Sequence, residues 1–104
     1  MEDRKEKRVY GIKSVTIKDE DKTISAVIKD MSKKGISIKS EHVFPTYKVI
    51  DIILKINEKT LNLKGSVRWV NEHPDKTRSK LKEIGISIIN PTAEYLQYIK
   101  KLSE

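Results

Sequence analysis

Two groups of residues in this chain have types and spacing suited to ligand chemistry. Arg4 and Arg8 stand with three residues between them near the N-terminus, and Asp30, Ser32 and Gly35 place a carboxylate, a hydroxyl and a glycine at fixed offsets. Arginine stays charged at any physiological pH and presents five donors in a flat fork, which grips phosphate bidentately and stacks on bases. In extended chain, residues four apart lie on one side, about 13 Å apart, and in a turn they come closer. Two such forks on one arm can therefore clasp a ligand from different directions. Each charge-assisted hydrogen bond to a buried phosphate contributes roughly 1.5–3 kcal/mol, less the cost of ordering the arm. The Asp30 carboxylate matches the N1–H and N2–H2 donors of a guanine edge. Ser32 can give its proton to a phosphate oxygen, and Gly35 permits a positive φ or close backbone approach to a ligand. Together the two groups suit a ligand with both phosphates and guanine edges. Taken singly, the arginines read as a solvated tail and the second group as an ordinary turn.

Other residues offer less. Trp69 is the single tryptophan; on an alternating strand it reads as a packing residue, with a stacking platform for a base as the sharper alternative. His42 and His73 fall in polar segments without a paired ligand pattern, so both read as surface residues and no metal site is expected. Ser14, Ser25 and Ser66 have no histidine at a suggestive position, and the four glycines are isolated, so there is no glycine-rich phosphate loop. No catalytic residues and no cofactor are expected.

The elements that must position these groups are mostly strands. Residues 1–7 are nearly all charged and carry too little apolar surface to pack, so they are expected to form a mobile arm. Val9 to Ile17 alternates, with Val9, Gly11, Lys13, Val15 and Ile17 on one side, and reads as a strand. After a polar turn, Lys18 to Lys22, a β-branched run from Thr23 to Lys29 reads as a second strand. Asp30 to Gly35 turns the chain into a short strand, Ile36 to Lys39, and Phe44-Pro45 breaks the pattern. Val49 to Ile56 and Thr60 to Val70 follow, the latter alternating through Leu61, Leu63, Gly65, Val67 and Trp69. Residues 71–80 read as a polar loop and Ile84 to Ile89 as the last strand. Asn90-Pro91 then supplies an expected N-cap and first helical residue, and Tyr95, Leu96, Ile99 and Leu102 recur at helical spacing. Six short strands with short connections favour a barrel or a sandwich.

At 104 residues the chain is one domain's worth. Charged residues make up 36% and hydrophobic residues 37%, but the apolar residues cluster in alternating runs, which argues against wholesale disorder. With no cysteine, disulfide frameworks and thiolate zinc sites are excluded. No apolar run approaches the roughly 20 residues of a membrane-spanning helix, and Met1 to Arg4 has no apolar stretch behind it, so neither membrane insertion nor a secretory signal is expected. A cytoplasmic location follows as the default. The net charge of +7 favours anionic partners, though the lysines are spread along the chain as on a solvated surface.

Arg4-x-x-x-Arg8 followed by Asp30-x-Ser32-x-x-Gly35 resembles the signature of PilZ domains, the bacterial receptors for cyclic di-GMP. Gly65-Ser66-Val67-Arg68-Trp69 is similar to the family's glycine-x-valine-x-tryptophan strand, Ile84 to Ile88 to its last strand, and Asn90 to Leu102 to its closing helix. The resemblance covers essentially the whole chain. It implies an all-β fold with one helix: a six-stranded antiparallel β-barrel of the split-barrel type, residues 8–90, with a helix at 91–103 and a ligand-clasping arm at 1–7. It also implies a ligand site on the outer barrel surface. There Arg4, Arg8, Asp30 and Ser32 would contact guanine and phosphate, Gly35 would let the ligand lie close, and Trp69 would stand near it. Lys33 and Lys34 would add electrostatic attraction only. Asp3 occupies a position where many members carry another arginine, which implies one bound ligand rather than an intercalated pair.

The expected function is a non-catalytic cyclic di-GMP receptor whose arm orders on binding and signals to a downstream protein. Two alternatives stand beside it. One is a PilZ-fold interaction module that binds no nucleotide. The other is a nucleic-acid-binding barrel, motivated by the charge and Trp69 but disfavoured by an aromatic content of 6%.

Overall fold

A computed structural model of the chain describes residues 9–56, 59–72 and 80–102. Six strands precede one helix: β1 (Val9–Asp19), β2 (Lys22–Met31), β3 (Gly35–Ser40), β4 (Val49–Ile56), β5 (Lys59–Asn71), β6 (Lys82–Ile89) and α1 (Ala93–Leu102). The strands close into an antiparallel barrel in the order β1-β2-β3-β6-β5-β4, sealed where Val15–Lys18 of β1 pair with Asp51–Leu54 of β4. This is the expected six-stranded barrel, and closure decides against the sandwich. The strands extend beyond the β-branched runs into polar residues. The β1–β2 pairing persists to Asp19–Lys22, so the hairpin narrows to Glu20 and Asp21, with Glu20 at a φ of 57°.

The interior follows from alternation. Val15 and Ile17, Ala26 and Ile28, Ile36 and Ile38, Ile50, Ile52 and Leu54, Leu61, Leu63 and Val67, and Ile84, Ile86 and Ile88 are all buried in one cluster. Such side chains contribute about 1.5–3 kcal/mol each on full burial. Phe44, from the segment linking β3 to β4, joins this cluster, as do Tyr95 and Ile99 of the helix. Phe44 follows the end of β3, whereas the helix follows the end of the antiparallel β6, so the two pack at opposite ends of the barrel.

Two extra residues break the alternation. On β2, Ile28 pairs with Ile38 but Asp30 with Ser37, so Lys29 is a bulge; against β1 the same place shifts register between Tyr10 and Lys13. On β5, Val67 pairs with Ile86 but Trp69 with Gly85, so Arg68 is a bulge. The expected alternation through Trp69 is corrected accordingly: Val67 is fully buried, yet Trp69 lies outside the barrel and is 46% exposed. A bulge shifts every later side chain of its strand to the opposite face.

The helix cap also differs from the expected one. Asn90 sits at a φ of 49° and turns the chain out of β6. Thr92 is the cap: its Oγ1 accepts the Tyr95 amide at 3.1 Å and its carbonyl accepts the first helical bond, from Leu96, at 3.0 Å. Threonine wins because its side chain reaches the third helical amide directly. Glu94 in the first turn and Lys100 and Lys101 in the last complement the helix dipole. At the far end of the barrel, the Lys48 ammonium bridges Glu20 at 2.8 Å and Asp19 at 3.3 Å. Hydrogen bonds to Glu20 and then Asp19 raise its pKa above the ordinary lysine value. This tether is therefore intact at neutral pH, and on the alkaline side it is lost as pH rises through that raised value.

Thr92→Ala is expected to lower stability by about 1 kcal/mol in a urea titration. Asn90→Gly, at a left-handed position that suits glycine, is expected to lower it less. The reverse order would return the cap to Asn90.

Candidate functional site

The Asp30–Gly35 turn joins β2 to β3, and its conformation is held by Ser32. The Ser32 amide donates to the Gly35 carbonyl at 2.8 Å, and its hydroxyl accepts the amides of Lys34 and Gly35 at 3.3 Å each. That hydroxyl is also 3.4 Å from the Gly35 carbonyl, to which it donates. Ser32 is 1% exposed. The side chain expected to meet a phosphate thus closes its own turn here. Two further bonds fix the turn to the rest of the fold. The Ile88 amide of β6 donates to the Lys34 carbonyl at 2.8 Å, and the buried Tyr95 hydroxyl of the helix donates to the Ser32 carbonyl at 2.6 Å. The helix is read from the sequence as an apolar face docking on the sheet; this polar tie to the motif has no sequence signal.

Of the two reasons expected for Gly35, the positive φ is not met. No described glycine has a positive φ. Instead, a Cβ at Gly35 would lie 2.6 Å from the Ile86 carbonyl oxygen. The close approach is between β3 and β6, which lets the turn lie flush against the neighbouring strand.

From this turn a row of paired residues crosses the outer face. Asp30 pairs with Ser37, Ser37 with Gly85, and Gly85 with Trp69. At about 4.8 Å per strand the row spans roughly 15 Å. Ser37 lies between the inward Ile36 and Ile38, so it faces outward, and its partners share that face. Asp30 is 8% exposed and Ser37 7%, so the row is sunk below its rim. A Cβ at Gly85 would collide with the indole of Trp69, so the ring lies over the glycine. An interior strand glycine is the sequence signal that marks such a close approach, and the reading of β6 as packing alone passed over it. Lys29, turned out by its bulge, reaches the Glu83 carboxylate of β6 at 3.0 Å and bounds one flank. Lys33 and Lys34 are exposed beside the turn.

The two expected arginines, Arg4 and Arg8, lie outside the described residues, as does His73. In β1, Val9 pairs with Met31 and Tyr10 with Asp30, so the first described residue stands one residue from Ser32. His42 is half-buried and packs edge-on against Phe44 at 4.7 Å between centroids. Among the described residues, no group of His, Cys, Asp and Glu side chains could hold a metal ion. No described helix is long and apolar enough to cross a membrane. The outer row thus offers a buried carboxylate, a floor of small side chains, an exposed indole and a rim of lysines, an arrangement suited to a flat polar ligand bearing anionic groups.

The family model for the PilZ domain matches residues 2–104. Among solved structures, the PilZ domain of YcgR from Escherichia coli with c-di-GMP is similar, at a TM-score of 0.74 and 12% identity, covering 98% of this chain and 92% of that one. The Bacillus subtilis inhibitor of motility, MotI/DgrA, is similar at a TM-score of 0.70 and 19% identity, covering 97% of this chain. The chain spans about half of that protein's length, 51%. A comparison with curated proteins found no significant match.

Gly85→Ala is expected to displace the indole and shift the emission of the single tryptophan, with the barrel intact by circular dichroism. Gly35→Ala is expected to cost about 1–3 kcal/mol in denaturant, because the crowding atom belongs to the backbone. Unchanged fluorescence in the first, or unchanged stability in the second, would contradict these close approaches.

Proposed function

The chain belongs to the PilZ family, and from that premise we propose that it is a non-catalytic receptor for cyclic di-GMP, bound on the outer row that ends at Trp69. The observation that carries this reading is the pairing of Val9 with Met31 and of Tyr10 with Asp30. It delivers the end of the arginine-bearing segment to the turn that holds the carboxylate. Val9, the residue after Arg8, and the turn, well separated in sequence, become neighbours through the first hairpin of the barrel. The YcgR domain, whose structure contains c-di-GMP, shares the fold.

In this reading Arg4 and Arg8 grip the phosphates and stack on guanine. Asp30 accepts from a guanine edge. Ser32 shapes the turn and exchanges its long 3.4 Å bond to the Gly35 carbonyl for a phosphate oxygen. Gly35 keeps the turn flush with β6, leaving room for the ligand, and Trp69 supplies a second-tier stacking surface. Lys33 and Lys34 raise the local anion concentration without a fixed contact. Ligand binding orders the N-terminal segment against the barrel and creates a surface for a downstream protein, so the domain acts as an adaptor in bacterial second-messenger signalling. A cytoplasmic location belongs to the same proposal.

Titration calorimetry with cyclic di-GMP is expected to give saturable heat with a Kd below about 10 μM, near −7 kcal/mol. Arg8→Ala and Asp30→Asn are each expected to weaken binding by at least about tenfold with the melting temperature retained. Absence of heat would overturn the reading, and unchanged affinity in both variants would overturn the assigned roles.

A further inference from the structure

Where the segment after β3 meets β5, the outer face carries apolar surface that the barrel leaves uncovered. Tyr47 is 68% exposed and Val49 52%. Both lie against β5: Val49 pairs with Ser66, and the Tyr47 amide donates to the Val67 carbonyl at 2.6 Å. The bulge at Arg68 turns that side chain back over Tyr47, with the guanidinium carbon 5.3 Å from the ring centroid. Trp69 follows directly. Tyr47 also holds a φ of 71°, a left-handed conformation uncommon for a bulky residue. An exposed aromatic kept in a strained backbone, outside the core cluster, points to a use other than packing.

The charges around this patch are unevenly balanced. Lys48 is neutralised by Asp19 and Glu20, and Lys64 by Asp51 at 3.0 Å. Arg68 is exposed and makes no salt bridge with any described residue; its described contact is the Tyr47 ring. Its planar fork therefore stands with open donors amid apolar surface. Tyrosine, tryptophan and arginine together are the side chains enriched at the energetic centres of protein interfaces.

We propose that Tyr47, Val49, Arg68 and Trp69 form a docking surface for a partner protein that presents a carboxylate set among apolar side chains. The partner's carboxylate takes the open donors of Arg68, and its apolar groups cover Tyr47 and Val49. A nucleic acid fits less well. A phosphate chain needs successive free cations, and the cations beside Arg68 already carry carboxylates. A second copy of this chain fits less well too, since each copy carries a net charge of +7 and like charges oppose association. The proposal goes beyond nucleotide binding and does not rest on it: Tyr47, Val49 and Arg68 are outside the proposed nucleotide-binding set, and Trp69 alone is common to both.

The test is selection from a displayed library of short random peptides against the immobilised full chain. Recovered peptides are expected to carry Asp or Glu beside aromatic or aliphatic residues. Synthetic copies are expected to bind at least about tenfold more weakly to Arg68→Glu and to Tyr47→Asn, the hallmark of a central contact. Replacing the peptide carboxylate by Lys is expected to restore binding to Arg68→Glu. Both substitutions are at exposed positions, and Asn tolerates the left-handed backbone, so each variant is expected to keep its melting temperature. No enrichment, or peptides indifferent to both substitutions, would overturn the proposal. So would single-stranded oligonucleotide binding, or concentration-dependent dimerisation, that Arg68→Glu abolishes.

Discussion

Alternation in a closed barrel is a two-way choice: each strand residue faces the core or the outside, and its neighbours take the other face. The proposed function depends on the two places where this chain inserts an extra residue and reverses that choice. Counting in twos from Ile28 would place Asp30 inside, and counting from Val67 would place Trp69 inside. The bulges at Lys29 and Arg68 turn both outward, into one row with Ser37 and Gly85. A carboxylate within an apolar barrel of this size would carry a desolvation cost of several kcal/mol. On the outer face it can meet a ligand.

The turn that follows Asp30 connects the row to the rest of the molecule. Ser32 spends its hydroxyl and amide on Gly35, while its carbonyl takes the buried Tyr95 hydroxyl. The helix at the end of the chain is thereby tied to the motif near its beginning. A change in the turn acts directly on that tie, whereas the exposed patch around Tyr47 and Arg68 adjoins the Trp69 end of the row. The row and the patch share Trp69. A ligand that moved the indole would alter both surfaces through one side chain.

Much of this was legible in the residues. Alternating and β-branched runs located all six strands; of the four apolar residues at helical spacing, Tyr95 and Ile99 are buried, Leu96 is half-buried and Leu102 is exposed. The motif pair directed attention to the turn, which the structure places beside the entry of β1. The bulges were not legible, because Lys29 and Arg68 have nothing in their chemistry that marks an extra residue; register is a property of strand pairs. The same limit put Trp69 in line with Leu61, Leu63, Gly65 and Val67. Asn90-Pro91 read as a cap because both residue types suit it, but Thr92 lies closer to the third helical amide and takes the role. Gly35 read as freedom of φ or close approach to a ligand; its φ is not positive, and the crowding atom is the Ile86 carbonyl on a strand distant in sequence. In each case the deciding neighbour is supplied by tertiary structure.

The central claim is that the outer row from Asp30 to Trp69 is where the nucleotide sits. Amide and indole resonances followed by NMR during titration with cyclic di-GMP test it most directly, since the chain has one tryptophan and so one indole N–H signal. The account predicts that the Trp69 indole and the amides of Asp30 to Gly35, Ser37 and Gly85 shift and saturate together, while those of Lys18 to Lys22 at the opposite hairpin stay in place. Saturating shifts confined to other strands, with the indole and the turn unmoved, would contradict it.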